Sequence, residues 1–81
     1  PLYDETFSLL CFPNPASTEI HLRTEEEIEN LLLYDISGVL VYQTTPTTNQ
    51  YTLDVSKLKN GIYILHAETK SGVYRNKIIK E

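Results

Sequence analysis

The chain has 81 residues, 41% apolar and 22% charged, which fits one small folded domain and is too hydrophobic for a disordered one. No apolar run approaches the ~18 residues a membrane helix needs. Seven basic against 11 acidic residues leave a net charge of −4, which opposes generic nucleic-acid binding, so no nucleic-acid partner is expected. The single cysteine forms neither an internal disulfide nor a thiolate metal cage. The chain starts at Pro1 without an initiating methionine or a signal peptide, so it reads as a piece of something longer or a processed product.

In chain order the sequence reads as short strands separated by turn chemistry. Phe7–Phe12 is an apolar run, and Pro13-Asn14-Pro15 breaks it, since neither proline donates to a ladder. Glu19–Arg23 alternates polar and apolar residues, as a strand with one wet face does. Thr24-Glu25-Glu26-Glu27 matches a capping box before Ile28, Leu31 and Leu32, so a helix over 25–34 competes. A strand over 28–35 is preferred. It runs into the turn Asp35-Ile36-Ser37-Gly38 and the β-forming Val39–Tyr42, and it needs no long connection. Thr24–Glu29 then becomes a solvated acidic loop. With Leu31 and Leu33 facing the core, Leu32 and Tyr34 face outward, which hints at a covered surface.

Thr44–Asn49 reads as a polar loop and Tyr51–Val55 as a strand. Asn60-Gly61 turns into the strand Ile62–Thr69, because both residues tolerate positive φ. Lys70-Ser71-Gly72 turns again, and Val73–Lys80 forms a last strand. Arg75, Lys77 and Ile79 share one face with Val73, while Ile78 and Lys80 share the other with Tyr74 and Asn76. Neither face is purely apolar, so this strand belongs at a sheet edge. About seven strands, spaced at about ten residues, predict an all-β fold, an antiparallel two-sheet sandwich.

Catalytic signals are missing. No serine stands in a Gly-x-Ser-x-Gly elbow, and Asp35-Ile36-Ser37-Gly38 reads as a turn. His21 and His66 lack a second ligand at i+2 or i+4, and the glutamates at 25, 26, 27 and 29 lack EF-hand spacing. No metal, no cofactor and no enzymatic activity are expected. Cys11 reads as a buried structural thiol.

The order of the turn motifs carries more. Phe12-Pro13-Asn14-Pro15-Ala16 is followed by Tyr34-Asp35-Ile36-Ser37-Gly38-Val39. Leu58-Lys59-Asn60-Gly61-Ile62-Tyr63 comes next, and Lys77-Ile78-Ile79-Lys80 ends the chain. This series resembles the type A C-terminal sorting domain of type IX secretion cargo, over about residues 7–81. Residues 1–6 then read as the end of a linker. The resemblance implies an Ig-like β-sandwich that directs its parent protein across the outer membrane, through the periplasm to the cell surface or the medium. The implied partners are the outer-membrane translocon and a sortase, with anionic lipopolysaccharide reached through the parent.

Pro13, Asn14 and Pro15 match the first motif, Asp35 and Gly38 the second, and Gly61 and Tyr63 the third. Arg75, Lys77, Ile78, Ile79 and Lys80 fall in the terminal stretch, the candidate for recognition. The motif positions at turns read as structural. Exposed Arg75, Lys77 and Lys80 would form a basic edge, open to a partner's strand or guarding against aggregation. The chain is expected to be a monomer or a weak strand-mediated dimer. The alternative is a glycan-binding or adhesion sandwich using Tyr42, Tyr51 and Tyr74.

Overall fold

Period-two alternation along most of the chain closes into two antiparallel sheets. The computed structural model describes residues 9–81. Residues 1–6, expected above to be the end of a linker, and Phe7 and Ser8 lie outside the described residues. The strands are β1 (Leu10–Phe12), β2 (Glu19–Ile28), β3 (Asn30–Asp35), β4 (Leu40–Thr44), β5 (Thr48–Asp54), β6 (Gly61–Thr69) and β7 (Gly72–Lys80). One sheet runs β1-β2-β5 and the other β4-β3-β6-β7. This is the expected sandwich of seven strands.

The inner faces supply the core. Ile20, Leu22, Ile28 and Leu53 come from the first sheet, with Val55 just after β5; Leu31, Leu33, Leu65 and Ile78 come from the second. All are essentially inaccessible, and each contributes about 1.5–3 kcal/mol by leaving water. Leu31 and Leu33 face inward as expected, with Leu32 and Tyr34 half-buried on the opposite face. β7 lies at the sheet edge, also as expected.

The acidic segment departs from expectation. Thr24–Glu29 is not a loop, and no helix forms over 25–34: β2 continues to Ile28. Thr24 and Ile28 both enter the interior, while Glu25 and Glu27 point to water. The register to β5 shifts between Arg23 and Ile28, so the strand absorbs the extra residues as a bulge. The Thr24 hydroxyl donates to the Glu26 carbonyl inside it. Burial of Ile28 outweighs the solvation preference of the glutamates, which the open face satisfies. Glu29 alone then joins β2 to β3 across the two sheets, its N–H donating to Glu68 O at 2.7 Å. The polar stretch after Thr44 is likewise shorter than expected, because β5 begins at Thr48.

Candidate functional site

The terminal strand is held from outside by the first motif. Pro13 and Pro15 interrupt the chain after β1, and Ala16 crosses to the second sheet to form a parallel bridge with Lys80. Ala16 N–H donates to Ile79 O, and Glu81 N–H donates to Ala16 O, both at 2.8 Å. Asn14 grips the same edge with its side chain. Its Nδ2 donates to Lys77 O at 2.8 Å, and its Oδ1 accepts from Ile79 N–H at 3.0 Å. Asn14 and Ala16 are thus a clamp on β7. Both X–Pro bonds are cis. The edge expected to be open is occupied over 77–81.

Period-two alternation splits the terminal stretch. Arg75 and Lys77 are exposed on the outer face, with Ile79 half-buried beside them. Ile78 is buried in the core. Lys80 is a correction, for it is 7% exposed rather than part of a basic edge. It shares parity with Ile78, so its stem lies inward and its Nζ reaches Asn60 Oδ1 at 3.4 Å. The outward cations of β7 are Arg75 and Lys77.

The other motif positions are local locks. Asp35 Oδ1 accepts from Ser37 N–H at 2.9 Å, Ser37 Oγ at 2.6 Å and Val39 N–H at 3.0 Å. The Ser37 hydroxyl, then the Val39 amide, hold its carboxyl below the ordinary carboxylate value. Gly38 completes the turn at φ 91°, a region costly for a side-chain-bearing residue. At the β5–β6 corner, buried Tyr63 donates its hydroxyl to Lys59 O at 2.6 Å. A tyrosine at the start of the sixth strand that bonds a carbonyl a few residues upstream is the tyrosine corner of Ig-like sandwiches. Gly61, at φ 153°, starts that strand.

Other sequence candidates find structural places. Cys11 is half-buried against the core, and burial pushes its thiol up to about 11, against a smaller opposing effect from Asn76. His21 contacts Glu19 at 3.2 Å and Thr52 at 3.1 Å, with Phe12 beside its ring. Among the described residues no group of His, Cys, Asp or Glu is placed to hold a metal. The three tyrosines of the glycan alternative form no open platform. Tyr51 and Tyr74 pack against the core, and Tyr42 spends its hydroxyl on that of Tyr51 at 2.8 Å.

Sequence reasoning did not single out Asn14 as a clamp, and it gave no role to Ile62 and Ile64 on the outer face of β6. Adjacent apolar residues from Ile62 to Leu65 were the available signal for the latter.

No curated protein matches the chain. The family model described as a secretion system C-terminal sorting domain matches residues 10–81, which takes in the clamp, both turn motifs and the terminal strand. The chain therefore belongs to the family of type IX secretion C-terminal sorting domains.

Proposed function

We propose that residues 7–81 act as a folded export address, recognised by the outer-membrane translocon and by a sortase, and that they carry the parent protein through the periplasm to the surface or the medium. The domain is non-catalytic in this reading, and anionic lipopolysaccharide meets only the parent. The observation that carries it is the family match together with the clamped terminal strand. The stretch from Lys77 to Glu81 is bonded to Asn14 and Ala16, and the strand offers Arg75 and Lys77 to a partner as part of a surface. Strand addition along 77–81 has to displace Asn14 and Ala16 first.

The test fuses residues 1–81 to the C-terminus of a periplasmic reporter, in a bacterium that has this secretion system. The expected result is surface or medium localisation that a translocon mutant abolishes. A folded, intact reporter left in the periplasm refutes the proposal. Removal of Lys77–Glu81 is expected to abolish export.

A further inference from the structure

The outer face of the four-stranded sheet is unusually apolar. A sheet packed on one side normally turns polar residues to water. Here β6 is apolar at both parities: Tyr63 and Leu65 are buried, while Ile62 is 41% exposed and Ile64 half-buried. The pairing aligns Leu40, Tyr34, Ile64 and Lys77 in one row, and Leu32, His66 and Arg75 in the next. Ile36, 73% exposed, stands at the tip of the β3–β4 turn beside these rows. A shallow depression of about 350 Å³ opens between Tyr34, Asp35, Ile36, Gly38, Ile64 and His66, with one Asp35 carboxylate oxygen taken up by Ser37 and Val39 of its own turn. Tyr34 and His66 lie against each other in its wall, with ring centroids 4.8 Å apart.

We propose that this face docks a protein surface that inserts an apolar side chain into the depression and sets carboxylates against Arg75 and Lys77. The inference rests on the sorting reading, and the partner is then a component of the export machinery. Charge complementarity argues for it. On a chain of net charge −4, the two outward cations of β7 sit together beside the apolar rows. Exposed apolar area bordered by charge is the usual character of a protein-binding site.

Two other occupants fit less well. Two cations on an acidic domain attract an anionic lipid surface weakly, and Glu68 in the adjoining row opposes it. A two-fold pairing of the face with itself sets β7 against β7 or against β4. On this face neither β4 nor β7 carries a carboxylate, and Glu68 of β6 is the one acid in the paired rows that could face the cations. Four strands also span only about 19 Å across, and with ~25 Å along the strands the contact totals roughly 1,000 Å². That is small for a permanent dimer and right for a transient hand-over.

The test uses the reporter fusion with three variants: Ile64→Ser, the double charge reversal Arg75→Glu/Lys77→Glu, and the control Glu25→Lys/Glu27→Lys on the other sheet. Thermal unfolding of each purified domain establishes that it folds. The expected result is export lowered at least about tenfold by the two outer-face variants and unchanged in the control. The charge reversal alters exposed side chains only, so it decides the matter if Ile64→Ser unfolds. Wild-type export with equal export of a folded charge-reversal variant overturns the docking face and leaves the sorting reading standing. Failure of the wild-type fusion refutes the sorting reading and takes the docking face with it. Two further results overturn the choice of partner: co-sedimentation with phosphatidylglycerol-containing vesicles that depends on Arg75 and Lys77, or a dimer in light scattering that Ile64→Ser abolishes.

Discussion

Replacing Asn14 with alanine removes both arms of the clamp at once. The bonds lost are Nδ2 to Lys77 O at 2.8 Å and Ile79 N–H to Oδ1 at 3.0 Å. An intramolecular hydrogen bond is worth about 0.5–1.5 kcal/mol net. Asn14 is exposed, so water takes over part of each bond, and the pair contributes about 1–2 kcal/mol. In a domain of this size the melting temperature falls by about 4–8 °C for each kcal/mol. The sharper assay is amide hydrogen exchange. Ile79 N–H loses its only direct acceptor among the described residues and is expected to exchange about tenfold faster or more. Asn14→Asp separates the two arms, since a carboxylate still accepts from Ile79 N–H but cannot donate to Lys77 O. It should keep Ile79 protected and show an intermediate melting temperature. An Ile79 amide that exchanges in Asn14→Ala as it does in the wild type refutes the clamp.

Two further outcomes follow from ionisation. With its thiol held at about 11 instead of 9.0, Cys11 in the folded domain is expected to react with iodoacetamide at pH 8 about 100-fold more slowly than in urea; equal rates refute its burial. Burial, then the Arg75 charge, hold His66 below its ordinary 6.5, while Glu68 opposes them. The unfolded chain therefore takes up the proton first. The stability from a neutral His66 is present above pH 6.5 and is lost as pH falls through the lower folded value. Urea midpoints at pH 7.5 and 5 are expected to differ less in His66→Gln than in the wild type, and an identical difference contradicts the assignment. The lowered carboxyls of Glu26, Asp35 and Asp54 act in a separate, more acidic window, where stability is lost as pH falls through their folded values.

Local chemistry was legible and distant chemistry was not. The parity of Leu31 and Leu33, the Asp35–Gly38 turn and the edge position of β7 follow from alternation and turn residues within a few positions of each other. The Thr24–Glu29 segment misled because its glutamates suggest solvent, while the residues that decide its course are Thr24 and Ile28, four apart, with a bulge between them. The burial of Lys80 follows from its parity with Ile78 but runs against its residue type. The clamp was hidden altogether, for its partners stand 63 and 65 residues apart. The docking face was half visible, in Leu32 and Tyr34 as an outward pair. Ile36 and Ile64 join them only through strand pairing and turn geometry.

The span of the clamp also bears on what the last strand exposes. A contact between Asn14 and Lys77 closes a loop of nearly the entire described chain, and contacts of such separation form after local hairpins such as β6–β7. Without those contacts the backbone of Lys77, Ile79 and Glu81 would be an open edge of unpaired N–H and C=O groups. With them these groups are bonded to Asn14 and Ala16. The last strand of the folded domain thus differs from the same strand in an unfolded chain in having its outward N–H and C=O groups from Lys77 to Glu81 already paired.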